Sequence, residues 1–345
     1  MNKNFNYEIW SIIPPPYGGI SIHSYRLFKY LKDSKKINVS FVEIIPPKHL
    51  FDFKYVFFTL VNLFKKRQNF VFHFHQQNLF FWLFIIILPF NLQYFVTIHN
   101  KDLLDKQSFF INLVVRKYLK NAKCTFINDQ AYGNDLINKF NLKDVNWNVI
   151  EAYITPHISE YSVLPNDILL FKNKFKILIS GNAYKLMFDK NKIDLYGLDM
   201  AIDLIYNLKK NGYNVGLIFL IPLIEDANYY NLLKKKILDL DLKNSILLYT
   251  CSLSNAFQLW EISDVFIRPT TTDIEAISVK EALSFGIPVV TSDVCVRPEG
   301  VFLFKNRDFD DFYNQVINAI NRGKNNSSFK SIKIVTEIEN QLINR

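Results

Sequence analysis

The 345-residue chain carries only three cysteines, Cys124, Cys251 and Cys295, far apart and with no CxxC pair among them. That spacing argues against a cysteine-built zinc site and fits a reduced, cytosolic compartment. Zinc-finger and RNP-type motifs are also missing. The basic residues form only short clusters, at Lys65-Lys66-Arg67 and Lys234-Lys235-Lys236, so the net charge of +9 does not point to nucleic acid. Anionic lipid and phosphorylated substrates remain as partners for that charge. The first ten residues, MNKNFNYEIW, lack the apolar run and small-residue cleavage site of a signal peptide. No internal repeat is visible.

What is present is a globular composition, 49% hydrophobic and 21% charged, at a length that exceeds one hydrophobic core. The single membrane-like stretch is Leu79–Ile98. It is long enough to span a bilayer, but Pro89 breaks a helix there, and Asn91 and Gln93 follow. A buried helix over 79–88, a turn and a core strand over 93–98 account for the same residues. A helix dipping into a bilayer surface fits better than a span.

Short apolar runs alternate with longer amphipathic ones, which predicts parallel sheets covered on both faces. The first half gives strands near 7–13, 39–45, 70–74, 94–98, 124–127 and 148–151. Helices are predicted between them at 21–32, 54–66, 79–88, 108–120 and 130–140. A polar, proline-bearing seam at 155–172 interrupts the pattern before it restarts. Two doubly wound domains follow, over 1–160 and 170–322, with a tail at 323–345 whose end forms a helix packing back on the first domain. Ligands are expected between the loops at the carboxyl ends of the strands.

The richest stretch is Arg268–Asp293, RPTTTDIEAISVKEALSFGIPVVTSD. An apolar strand leads into a Thr-rich turn, then a helix starting near Ile274, then a Gly-Ile-Pro break into another strand. Free backbone N–H groups at 274–277 favour a phosphate, and Ser278 and Glu281 share a helix face with Ile274. A carboxylate two turns in lies about 10 Å from that start, which suits a ribose whose diphosphate sits at the turn. A Thr/Asp helix cap with solvent-facing charges explains the same residues.

This segment resembles the donor-binding segment of retaining glycosyltransferases of family four, which have a GT-B fold. Asp273 and Glu281 hold the family's two acidic positions with seven residues between them. Ala282 and Gly286-Ile287-Pro288-Val289-Val290 follow in register. The resemblance implies two Rossmann-like domains whose parallel sheets face an interdomain cleft. It implies that Glu281 binds the nucleotide ribose, and that Asp273 with the backbone after it (Ile274, Ala276) contacts the donor sugar and diphosphate. Glu275 competes with the shorter Asp273 for the sugar hydroxyls, and Lys280 is a secondary candidate.

Three other places fit. Gly18 and Gly19 end the first strand, where paired glycines let the backbone approach a diphosphate. His99, in a Thr-x-His context, matches the family's active-site histidine, with an implied hydrogen bond to the donor sugar. His73 and His75 end the strand before it and are structural or acceptor-lining; as a metal pair they lack a third ligand. The second domain opens on Ser180-Gly181-Asn182, and Tyr196-Gly197 begins a helix. Members of the family carry Gly-Arg and Lys-Gly there, both cations for the diphosphate. Both charges are missing here, and Lys185, Lys190, Lys192 or Arg268 would replace them.

The expected activity is retaining transfer of a sugar from a UDP- or GDP-sugar to a carbohydrate or lipid-linked acceptor. Neither metal nor cofactor is required, and peripheral contact with the inner membrane face is expected. The setting implied is cell-surface polysaccharide or lipopolysaccharide assembly. A non-catalytic nucleotide- or glycan-binding protein and an inverting transferase of the same fold are the alternatives.

Overall fold

The computed structural model describes residues 6–14, 19–44, 53–75, 78–99, 103–105, 108–128, 130–151, 153–273, 276–325 and 331–343. The chain divides into two compact units, residues 1–157 with 331–345, and residues 158–330.

In the first unit the strands are β1 (Asn6–Ser11), β2 (Asn38–Glu43), β3 (Phe70–Phe74), β4 (Tyr94–Ile98), β5 (Cys124–Ile127) and β6 (Trp147–Val149). They form one parallel sheet in the order β2-β1-β3-β4-β5-β6. The helices are α1 (Gly19–Ser34), α2 (Phe53–Lys66), α3 (Leu79–Ile86), α4 (Phe109–Asn121) and α5 (Gln130–Phe140). The two-residue period of a strand separates two cores. Trp10, Phe72, Phe74, Tyr94, Val96 and Ile98 join one buried cluster with residues of α3, α4 and α5. Tyr7, Ile9, Val71 and Phe95 join the other with Leu27 and Leu31 of α1. The positions 73, 75, 97 and 99 follow 71 and 95 onto that second face. It is also covered by the last helix, Lys333–Ile343, through Ile334, Ile338 and Leu342.

The stretch Leu79–Ile98 is the eight-residue α3, a turn and β4. Asn78 caps α3 by accepting from the N–H groups of Phe80 and Phe81 at 2.8 and 3.4 Å. Trp82, fully buried, stacks on Tyr118 of α4 with centroids 4.6 Å apart, a pairing that contributes about 0.5–1.5 kcal/mol beyond its buried area. No helix among the described residues is long and apolar enough to cross a membrane.

The first α-helix of the second unit is α6 (Asn166–Lys172), which fills the end of the stretch read from sequence as a polar seam. Leu164, Ile168 and Phe171 are buried there, so these apolar side chains override the prolines and polar residues around them. Then come β7 (Ile177–Asn182), α7 (Leu198–Lys210), β8 (Val215–Leu220), α8 (Ala227–Asp239), β9 (Ile246–Tyr249) and α9 (Ala256–Ile262). They are followed by β10 (Val265–Arg268), α10 (Ile277–Ser284), β11 (Val289–Ser292), β12 (Phe302–Phe304) and α11 (Phe309–Arg322); the last helix of the chain is α12. The parallel sheet runs β12-β11-β10-β7-β8-β9. Its two faces carry separate cores, one around Ile179, Leu217 and Ile267 and the other around Leu178, Ile218 and Phe266.

Strand order reverses between β1 and β3 in the first unit and between β7 and β10 in the second. At such a switch point the connections leave in opposite directions and open a crevice at the carboxyl ends of the strands, the usual ligand position in open α/β sheets.

Candidate functional site

In the second unit the last residues of the two strands at the switch point meet. Arg268 ends β10 and Asn182 ends β7. The Arg268 Nη1 donates to the Asn182 carbonyl at 3.0 Å and to its side-chain oxygen at 3.3 Å. Its Nε donates to Asp273 Oδ2 at 3.2 Å. The guanidinium carbon lies 5.1 Å from the centroid of the Tyr196 ring, within cation–π range. Asn182 and Tyr196 are the two positions where the resemblance leads one to expect cations. Both flank this one arginine.

Arg297 completes the cluster. It donates from Nη1 to Asp273 Oδ2 at 2.9 Å, from Nε to the Ser292 carbonyl at 3.1 Å and from Nη2 to Thr270 Oγ1 at 3.4 Å. The side chains are largely shielded: 10% of Arg268, 10% of Asp273 and 2% of Arg297 is exposed. Among the described residues, two guanidinium groups flank this one carboxylate, in a shielded setting where charge acts more strongly on an anion than at the surface. Arg297 escaped the sequence reading. It lies beyond the motif in a loop after β11, and its only sequence signal is an arginine shortly past a strand end.

Burial pushes the Asp273 carboxyl up, but the attraction of Arg268 and the hydrogen bonds from Arg297 and Arg268 outweigh it. Its pKa lies below the ordinary 3.8. A depressed carboxylate contributes stability that is present above 3.8 and is lost as pH falls through the folded-state value. The stability gap between the protein and Asp273→Asn, from urea unfolding followed by circular dichroism, is expected to stay constant near neutrality and to narrow below pH 3.8. A gap unchanged down to pH 2 would show that the carboxylate gains nothing from the two arginines.

The helix after this turn begins later than the sequence pattern suggests. Ala276 has an extended backbone (φ −84°, ψ 111°) and is the N-cap, so α10 starts at Ile277 and not near Ile274. Ile274 and Glu275 lie outside the described residues. Ala276, the N-cap, makes no side-chain cap bond, and the first turn of α10 itself holds no acidic residue, so among the described residues its N-terminal backbone donors face no cap of that kind. Ser278 and Glu281 are 9% and 5% exposed. Glu281 stands one turn into the helix, about 6 Å from its start rather than about 10 Å. It accepts a hydrogen bond from Trp260 Nε1 at 3.1 Å, which fixes one carboxylate oxygen. Lys280 is half-buried.

The start of α7 differs from that of α10. The buried Asp194 carboxylate accepts from the N–H groups of Tyr196, Gly197 and Asp199 at 3.0, 3.1 and 3.3 Å, and from the Tyr229 hydroxyl at 2.8 Å. Those donors are therefore already engaged within the fold. Gly197 sits at φ 70°, and a Cβ there would overlap the Pro269 carbonyl, which holds the α7 turn against the end of β10. Of the lysines proposed from sequence, Lys185 pairs with Glu225 at 2.8 Å, while Lys190 and Lys192 are exposed.

In the first unit, Gly19 opens α1, and Gly18 lies outside the described residues. His73 is fully buried; its Nδ1 meets the Tyr7 hydroxyl and its Nε2 the Thr97 hydroxyl, both at 2.7 Å. Both ring nitrogens are committed, so His73 has none to offer an acceptor sugar. His75 is fully buried, and its Nδ1 lies 3.0 Å from Nε2 of the half-buried His99. The third histidine that the sequence did not offer is His23 of α1. Loss of solvent around His73, His75 and His99, reinforced by neighbouring histidines, holds all three well below the ordinary imidazole value, so they are neutral at pH 7.

Comparison with known proteins bears first on the fold. A glycosyltransferase from Rickettsia africae superposes with a TM-score of 0.65 at 14% identity, over 98% of this chain and 94% of its own. A sucrose-phosphate synthase from Thermosynechococcus elongatus gives 0.63 at 14%, over 92% and 90%. Anabaena HepE, solved in complex with UDP, gives 0.60 at 17%, over 92% and 90%. No curated protein matches by sequence. Residues 171–332 match the family described as Glycosyl transferases group 1. The chain therefore has the GT-B fold, and its second unit is similar to the group 1 glycosyl transferases.

Proposed function

We propose that this protein is a retaining glycosyltransferase that takes a sugar from a nucleoside diphosphate sugar and passes it to a carbohydrate or lipid-linked acceptor. The observation that carries the reading is Arg268. It bridges the ends of β7 and β10 at the switch point and lies against both residues that replace the expected cations. In the proposed complex its guanidinium and the start of α10 face the diphosphate, and Arg297 holds Asp273 and the β11 loop in place. Both stabilise the charge that grows on the departing diphosphate, and they do so without reorganisation, because the fold has already aimed them.

Glu281 takes the ribose hydroxyls, and we assign to His99 the sugar contact that the resemblance implies. No step is routed through a metal. The UDP bound by HepE makes uridine nucleotides the first donors to try, with GDP next. Assembly of a surface polysaccharide or lipopolysaccharide at the inner membrane face is the setting we propose.

A thermal-shift screen with UDP, GDP, ADP and CMP tests the reading, followed by titration of the Glu281→Gln variant. We expect one nucleoside diphosphate to raise the melting temperature. We also expect Glu281→Gln to weaken its binding about tenfold, the value of one hydrogen bond to a charged group. The amide still has an oxygen for Trp260, so folding is retained. Unchanged affinity in the variant would remove Glu281 from the site. A protein that binds the nucleotide but transfers no sugar from any donor in a panel would be a binding module.

A further inference from the structure

The proposed transfer needs only one of the three imidazoles that converge at the switch point of the first unit. His23 projects from α1, which follows β1, while His75 and His99 end the neighbouring strands β3 and β4. Their ring centroids form a nearly equilateral triangle, with sides of 5.0, 5.3 and 5.5 Å. One ring nitrogen from each lies within 4.8 Å of the others. Three imidazoles holding one tetrahedral zinc ion at a bond length of about 2.0–2.1 Å place their centroids roughly 5 Å apart. The cluster therefore already has the size of such a site, and small ring rotations would bring the nitrogens into contact with an ion.

A second observation separates this trio from a packed aromatic core. His73 lies two residues earlier on the same face and has a hydroxyl partner for each nitrogen. His75 is fully buried, yet its Nε2 has no hydrogen-bond partner among the described residues. A buried imidazole nitrogen without a partner is costly unless something else occupies it.

We propose that His23, His75 and His99 bind a divalent transition metal of the zinc class. The site has nitrogen ligands only, which suits Zn(II), Co(II), Ni(II) or Cu(II) and disfavours magnesium and calcium. The fourth ligand is water, entering on the side of His99, the most exposed ring. Coordination through Nε2 of His99 exchanges its 3.0 Å hydrogen bond with His75 Nδ1 for the metal and leaves its own Nδ1 protonated as a donor, so the sugar contact proposed above is kept and its tautomer is set. The metal would fasten α1 to the ends of β3 and β4 and would take no part in leaving-group departure.

The test uses the full chain, stripped with chelator, dialysed and titrated with zinc chloride or cobalt chloride. One equivalent of zinc is expected to bind and to raise the melting temperature. Cobalt should give the visible absorption of a tetrahedral site. His23→Gln, His75→Gln and His99→Gln should each weaken zinc binding at least tenfold, whereas His157→Gln, remote from the cluster, should bind as the parent does. If the buried His75→Gln variant does not fold, His99→Gln decides, since that ring is only half-buried. Folded protein with no saturable zinc binding, or binding that survives His99→Gln unchanged, would overturn the proposal. Nucleotide binding measured on the same samples reads the second unit alone, so failure here leaves the donor site untouched.

Discussion

Arg268→Ala is expected to lower kcat/KM for sugar transfer by about 100- to 1,000-fold, the range found when one preorganised donor to a developing anion is removed. Three features make the loss this large. The guanidinium is mostly shielded from water, it lies at the switch point between β7 and β10, and neither Asn182 nor Tyr196 carries a charge that could take its place. Arg268→Lys separates charge from geometry. A lysine keeps the positive charge, but it cannot span Asn182 and Asp273 with separate nitrogens as the fork does. Its activity should fall between those of the parent and the alanine variant. Melting curves guard against a trivial cause, because Asp273 keeps its bond to Arg297 when Arg268 is gone. Alanine activity within threefold of the parent would mean that the diphosphate is held elsewhere.

The second large effect is on stability. Gly286 closes α10 with the paired bonds of a Schellman motif: its own N–H reaches the Leu283 carbonyl at 2.9 Å, and that of Ile287 reaches Ala282 at 3.0 Å. The motif needs φ 70° at Gly286. A Cβ there would also overlap the carbonyl oxygen of Asn325, whose N–H in turn donates to the Gly286 carbonyl at 2.8 Å. For Gly286→Ala, the left-handed backbone costs about 1–2 kcal/mol, and displacing a bonded backbone segment brings the total to about 3 kcal/mol. The melting temperature of the second unit should fall by about 6–12 °C. Gly212→Ala is the control. It shares the positive φ, at 85°, but a Cβ there meets nothing, so only the backbone term should appear.

The strands were legible because each is an apolar run of a few residues bounded by polar or turn residues, and their alternation with amphipathic helices dictates parallel sheets. The helix inside the 155–172 seam was not legible. Leu164, Ile168 and Phe171 look unremarkable until the sheet supplies a surface that buries them. The start of α10 was misplaced by three residues, because a Thr-rich turn resembles a cap and nothing local shows that Ala276 stays extended.

In the site, Asp273 and Glu281 could be singled out from one continuous segment with fixed spacing. Arg297 and His23 could not. Each lies far along the chain from the residues it meets: Arg297 is 24 residues from Asp273, and His23 reaches His75 and His99 from a different element.

By itself the sequence determined the local chemistry: which runs become strands, where helices must stop, and which carboxylates and histidines stand near strand ends. Those properties depend on neighbours within a few residues, so they can be read along the chain. The strand order was decided only in three dimensions, and with it the two switch points. There β10 is set beside β7 and β3 beside β1, which brings Arg268 to Asn182 and gathers three histidines around one point. Order within a sheet follows from how helices cover both faces at once, a balance of buried area over the whole unit that no short segment encodes.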